Sequence, residues 1–180
     1  MEKYFSVDIC GREELLPILP LPGDINIAFF NLHGNVELTD HCAKHLAERI
    51  KKYKPDVLIT AESKGLQLTH CVAREMGHKF YAVVRKSKKL YMQDGIEVQA
   101  KTITTGDIQK LYLSAHDVEL IKGKRVAIVD DVISTGAANA ALEQIVAEAG
   151  GTVVCRAFVL AEGDAKDKEG VDYLATIPLM

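Results

Sequence analysis

Arg125-Val-Ala-Ile-Val-Asp-Asp-Val-Ile-Ser-Thr-Gly-Ala-Ala138 is the stretch that decides the fold of this chain. Val126 to Val129 form an uninterrupted apolar run ending in two acids, Asp130 and Asp131, and Val132 and Ile133 lead on to Ser134-Thr135-Gly136. Such a run reads as a buried parallel strand whose carboxyl end opens onto a ligand crevice. Behind it Ala140, Ala141, Leu142, Ile145, Val146 and Ala149 recur at helical spacing, so a turn of small residues feeds a helix. The amides that open a helix lack intrahelical acceptors and sit at the positive end of its dipole, which suits a phosphate. Acids that accept from vicinal hydroxyls, beside amides that donate to a phosphate, describe a ribose 5-phosphate site. A pair of acids that merely closes a strand and caps a turn would explain an isolated Asp-Asp, but not the whole pattern.

Working outward, the same architecture repeats. Leu38, Ala43, Leu46, Ala47 and Ile50 lie on one helical face between 38 and 52, and Pro55-Asp56 stops that helix. Val57 to Thr60 read as a strand, Leu66 to Met76 as a helix closed by Gly77, and Phe80 to Val84 as the next strand. The order recurs as strand 126 to 130, helix 138 to 149 and strand 152 to 160. Repeated strand, helix, strand units predict a Rossmann-like α/β domain, a parallel sheet flanked by helices on both faces. The proline-containing start (Pro17, Pro20, Pro22) reads as irregular. Between Lys86 and Gly106 the pattern weakens. Alternation in Ile96 to Ala100 and in Leu111 to Leu113 suggests two antiparallel strands flanking an exposed connection, the form of a lid.

Two further segments fall at the same sheet edge as the acids. Thr60-Ala61-Glu62-Ser63-Lys64-Gly65 is a strand-to-helix turn whose amides and Lys64 could bind a second anion, although such turns also carry Ser and Gly for capping alone. It lacks the Walker A spacing. Arg85, Lys86, Lys88 and Lys89 put four cations into five residues at the end of the next strand. A charge run is usually a solvated loop, but beside two anion cradles it supplies what a pyrophosphate needs. His41 and His45 lie four apart on a helix beside Cys42, with no third metal ligand at matching spacing, so packing or solvation explains them.

The strand, two acids, two apolar residues, small residue and Thr-Gly resemble the phosphoribosyl pyrophosphate (PRPP) site of the type I phosphoribosyltransferases. The resemblance implies that Asp130 and Asp131 hold the ribose hydroxyls and that Ser134, Thr135, Gly136, Ala137 and Ala138 hold the 5-phosphate. Ala137 and Ala138 replace a second Gly and a Thr of the commonest form, which removes one hydroxyl donor. Glu62-Ser63-Lys64-Gly65 is similar to the acid-Ser-Arg-Gly turn of adenine phosphoribosyltransferases, and Arg85, Lys86 and Lys89 to their Arg-Lys pair with a further Lys. These residues are thereby implied to bind pyrophosphate. Pro20-Leu21-Pro22-Gly23 looks like the segment entering the hood of those enzymes, and the similarity runs in order from about residue 19 to 162. Xanthine phosphoribosyltransferases resemble Phe30 to Val36 and the Ile59 to Leu66 turn about as well.

Taken whole, the resemblance implies a purine phosphoribosyltransferase with adenine favoured, dependent on Mg²⁺ held at Asp130 and Asp131 directly, through water or through the ribose hydroxyls. A single domain spans 1 to 180, with a hood over about 1 to 36 plus C-terminal residues and a flexible β-hairpin lid over about 87 to 108. The base would stack among Ile25, Ile27, Phe29 and Phe30, with Asn31 or backbone groups reading its edge. These residues could equally be hood core. Thr104 stands where the adenine enzymes carry a loop acid, and Asp94, Glu97 and Asp107 are nearby acids of which none can be assigned as general base. A homodimer is also implied. The alternatives are a xanthine/guanine enzyme and a non-catalytic PRPP-binding regulator. A phosphoacceptor receiver domain is excluded, because there the Asp-Asp ends the first strand.

Composition agrees with one globular domain: 180 residues, 48% hydrophobic, 26% charged. A net charge of -3 and a pI near 6.1 give no general reason to bind nucleic acid or anionic membrane. No apolar run is long enough to span a bilayer, and Met1 to Tyr4 are not followed by the apolar core of a signal peptide, so a cytoplasmic protein is expected. Cys10, Cys42, Cys71 and Cys155 are widely spaced and expected to be reduced.

Overall fold

The computed structural model describes residues 3–101 and 108–180. Its centre is a five-stranded parallel sheet made of β4 (Val57–Ala61), β5 (Ala82–Val84), β8 (Arg125–Ile133), β9 (Thr152–Glu162) and β10 (Val171–Ile177), in the spatial order β10-β9-β8-β4-β5. β8 lies in the middle, and Val126, Ala127, Ile128 and Val129 are each fully buried, as their unbroken apolar run requires.

The pleat sends alternate side chains of each strand to opposite faces. Leu58, Ala127 and Val129 pack against α1 (Val36–Ile50) and α2 (Leu66–Glu75). Val57, Ile59, Val126 and Ile128 pack against α3 (Ala115–Ile121) and α4 (Ala137–Glu148). Local signals set the helix ends. The Asn35 side chain accepts from the Leu38 amide to start α1, and Gly77, at φ +74°, follows α2.

Several expectations are corrected. The proline-containing start is not irregular: β1 (Tyr4–Ile9), β2 (Arg12–Leu21) and β3 (Ile25–Ala28) form an antiparallel sheet. β2 pairs with β1 only over 12–17 and with β3 only over 18–21. The Ile18 amide donates to the Lys3 carbonyl, so by alternation the Pro20 nitrogen faces that same edge, beyond the end of β1, where no partner is needed. β8 does not stop at residue 130 but continues to Ile133, with Val132 and Ile133 opposite Leu160 and Ala161 of β9. α3 and the edge strand β10 are additional elements beyond those read from the sequence.

The expected hairpin is present as β6 (Ile96–Lys101) paired with β7 (Ile108–Leu113). Val98, Leu111 and Leu113 are buried in the α4-side core, so the base of the hairpin is anchored there. Thr104, Gly106 and Asp107 lie outside the described residues.

Candidate active site

The order of the strands creates the site. From β4 the chain moves outward through α2 to β5, and from β8 it moves the opposite way through α4 to β9, so the β4–α2 and β8–α4 turns face each other where the order reverses. A ligand crevice forms at such a switch point. A cavity of about 530 Å³ occupies it, within the range of small-molecule sites. Ala61 to Lys64 border it from one turn, Thr135, Ala137 and Ala138 from the other, and Asp130, Asp131 and Lys86 between them. Ser134 and Gly136 border a smaller adjoining cavity of about 170 Å³, together with Thr135 and Ala138.

Asp130 and Asp131 sit on the last rungs of β8. The Asp130 Oδ1 accepts from the Asp131 amide and the Asp131 Oδ1 from the Val132 amide, both at 2.8 Å, which holds each carboxyl in a fixed orientation. Burial first, and then the negative charge of Asp131, push the Asp130 carboxyl up to about 7, while Lys86 pulls the other way. A buried acid whose charge is costly, as that of Asp130 is, favours hydroxyl donors or a cation beside it. Gly65 is buried against Asp130: a Cβ there would lie 2.7 Å from Asp130 Oδ1 and would collide with the Thr60 hydroxyl.

Glu62 has a different role from a phosphate ligand. Its carboxylate accepts from Arg85 Nε at 2.9 Å and from the Lys86 amide at 2.6 Å, and its own amide donates to the Val84 carbonyl. Burial alone would raise this carboxyl, but the Lys86 amide and the Arg85 guanidinium outweigh it and hold it below its usual range. Glu62 therefore buckles the β4–α2 turn to the end of β5. Arg85 also donates to the Tyr91 hydroxyl at 2.8 Å and does not border the cavity, whereas Lys86 does. Neither Gly65 nor Lys89 borders it. The Glu62–Ser63 peptide is cis.

At the β8–α4 turn, Gly136 takes φ +85° and precedes α4, whose first amides, Ala137, Ala138 and Asn139, have no acceptor within the helix. The Ala137 amide donates to the Thr135 hydroxyl at 3.3 Å. Alanine at 137 and 138 keeps the backbone amides of this turn.

The base-side residues divide. Phe29 is half-buried, and the Lys64 ammonium lies 4.8 Å from the centre of its ring, which links the N-terminal sheet to the β4–α2 turn. Phe30, by contrast, is 3% exposed and packs in the core with Leu32 and Ile9, so its ring is not available to stack on a base. Asn31 turns its Oδ1 to the His33 amide. Ile25 is exposed, and Ile27 is half-buried opposite Leu19. Glu97 pairs with Lys110 on the outer side of the hairpin and so does not face the cavity.

The hairpin instead turns Ala100, Gln109 and Leu111 toward the cavity. Gln109 is a polar lining residue that the sequence reading missed; the period-2 alternation of 109, 111 and 113 is the signal that would have found it. Lys168, which does not border this cavity, was missed as well: it reaches from beyond β9 to donate to the Thr135 carbonyl at 2.8 Å. Among the described residues no group of three or more His, Cys, Asp or Glu side chains is arranged to hold a metal, and the His41 Nε2 meets the Ile9 carbonyl at 2.6 Å instead.

Residues 31–175 match the phosphoribosyl transferase domain. The chain belongs to this family. Among the curated phosphoribosyltransferases it is 26% identical to the adenine phosphoribosyltransferase of Rhodospirillum centenum over 95% of this chain and 96% of that one. It is 33% identical to the xanthine phosphoribosyltransferase of an Exiguobacterium species, over 70% of this chain and 64% of that one. The fold is that of the adenine phosphoribosyltransferase from Thermoanaerobacter pseudethanolicus, with a TM-score of 0.73 at 22% identity, covering 91% and 94% of the two chains.

Proposed function

We propose that this phosphoribosyltransferase transfers ribose 5-phosphate from PRPP to a purine, with adenine favoured, releasing pyrophosphate. The observation that carries this reading is the meeting of two anion cradles and a carboxylate pair on one cavity: the α4 turn, the Ala61–Lys64 turn with Lys86, and Asp130 with Asp131. A sugar bearing a phosphate at one end and a diphosphate at the other needs that combination. The full-length similarity to an adenine phosphoribosyltransferase supports adenine as the base.

The reaction forms a bond between a ring nitrogen of the base and the anomeric carbon, and breaks the bond from that carbon to the diphosphate oxygen. The diphosphate leaves with the electron pair, and the ring proton of the base passes to the released diphosphate or to solvent. Positive charge develops on the sugar, so the carboxylates of Asp130 and Asp131 beside the ribose stabilise it by charge and fix its hydroxyls. Lys64 and Lys86 take the charge gathering on the diphosphate. The β6–β7 hairpin excludes water that would otherwise hydrolyse the activated sugar.

Two carboxylates at one cavity fit a Mg²⁺ ion of the kind completed by substrate oxygens and water rather than by an all-protein cage. Bound there, it would neutralise the leaving diphosphate. The same reading includes a homodimer working in the cytoplasm, tested by light scattering and by cell fractionation; no helix among the described residues is long and apolar enough to cross a membrane.

Protein, Mg²⁺ and PRPP are incubated with adenine, guanine, hypoxanthine, xanthine or a pyrimidine, and pyrophosphate is measured. Release with adenine above all others supports the proposal. Xanthine as the preferred base would reassign the specificity, and PRPP binding without turnover of any base would make the protein a regulator.

A further inference from the structure

We propose that Lys168 is a positioning residue for the 5-phosphate cradle, acting through the Thr135–Gly136 peptide. This inference rests on the sugar-phosphate site proposed above. Lys168 comes directly after the 3₁₀ turn Gly163–Asp167 beyond β9, far in sequence from the cradle. Its Nζ donates to the Thr135 carbonyl at 2.8 Å. Its side chain also lies along the Gly136 backbone, where a Cβ would sit 3.0 Å from the Nζ and 3.6 Å from the Cε.

The peptide plane turns this contact into a function. Across a trans peptide the carbonyl and the following amide point in opposite directions, and the Thr135–Gly136 peptide is trans. Lys168 borders the groove outside the loop, shared with Glu143 and Arg156. The cavity on the inner side, bordered by Asp130, Ser134 and Ala138, does not include it. Holding the Thr135 carbonyl outward therefore aims the Gly136 amide inward, at the cradle. A cation on a carbonyl also polarises the peptide and strengthens its N–H as a donor. Gly136, at φ +85°, supplies the backbone freedom that this orientation needs. With Ala137 and Ala138 offering no hydroxyl beyond those of Ser134 and Thr135, the backbone amides carry more of the phosphate's hydrogen bonds, and their aim matters more.

Ribose 5-phosphate and, separately, pyrophosphate are titrated by calorimetry into the wild-type protein, Lys168→Met and Lys168→Arg. Lys168 is exposed, so its replacement leaves the core untouched. The expected result is a loss of roughly tenfold in ribose 5-phosphate affinity for the Met variant, the worth of one hydrogen bond to a charged group. Pyrophosphate affinity stays as in wild type, and Arg restores most of the loss. In turnover, the KM for PRPP rises while kcat and the KM for the base hold. Equal ribose 5-phosphate binding by wild type and the Met variant overturns the proposal, as does an equal weakening of both ligands. A wild-type protein that binds no ribose 5-phosphate overturns both this inference and the sugar-phosphate site itself.

Discussion

The β8–α4 turn and the 25–31 segment approach the ligand site from scaffolds of opposite character. The turn stands on a central strand buried on both faces, with its acids held by successive backbone amides and a glycine packed directly behind one of them. The 25–31 segment leaves a three-stranded sheet whose outer face exposes Leu15, Leu19, Leu21 and Ile25, and it meets the site through Phe29 against Lys64. On the proposed function the turn is the sugar-phosphate half, and it is fixed by strand packing that tolerates little change. The 25–31 segment reaches the β4–α2 turn through the Phe29–Lys64 contact, while Ala28 and Phe30 anchor it in the core. The chain is similar both to an adenine and to a xanthine phosphoribosyltransferase.

Breaking the rigid half should have the largest effect. Asp130→Asn with Asp131→Asn is expected to lower kcat/KM by more than about a thousandfold, since it removes the charge facing the developing cation. The thermal midpoint should not fall, because the substitution also removes repulsion between two confined carboxylates. An active double variant would break the comparison outright.

Gly65→Ala comes next. Its Cβ would press on Thr60 and Asp130, and a displacement near 1 Å is worth about a hundredfold in rate. A crystal structure of the variant with Asp130 unmoved, alongside full activity, would show that the close packing behind the acids has no role.

The pH dependence of the rigid half has opposite signs for stability and for ligand binding. Asp130 is raised to about 7, so the folded chain holds its proton more tightly than the unfolded chain does. Stability should then fall as pH rises from the ordinary carboxylate range to about 7, and level off above it. Affinity for Mg²⁺ and PRPP should rise over the same interval, because the ionised acid is the binding form. Both slopes should flatten in Asp130→Asn; slopes unchanged by that substitution would mean that another group titrates.

Phe29→Ala should give the smallest effect, a rise of roughly fivefold in the KM for the base, the worth of one aromatic contact. The KM for PRPP should hold. A larger rise for PRPP than for the base would place Phe29 with the diphosphate rather than with the base.

The same contrast explains what can be read from the sequence. β8 and its turn are legible because burial on both faces demands a continuous apolar run, and the acids, small residues and helix come after it in a fixed local order. Glu62 to Gly65 and Arg85 to Lys86 fall at the right edge for the same reason. Their division of labour is not legible: that Glu62 binds Arg85 and the Lys86 amide is a contact between two strands' ends. The N-terminal sheet is hidden by Pro17 and Pro20, which are tolerated only because each half of β2 is paired on one edge. Phe29 and Phe30 are neighbours that point to opposite sides, and without the register of the segment nothing tells which one is core. α3 does carry a signal, Ser114 three residues before Asp117, whose amide it caps at 3.2 Å, but seven residues are too few for a clear apolar stripe. Lys168 sits in a polar run and carries no local mark at all.

The most direct test of the central claim, that the β8 acids and the turn after them hold the activated sugar, is a calorimetric titration of PRPP with Mg²⁺ into the wild-type protein and the Asp130→Asn, Asp131→Asn double variant. Saturable binding to the wild type and its loss in a folded double variant is the predicted result. Equal binding to both proteins would contradict it.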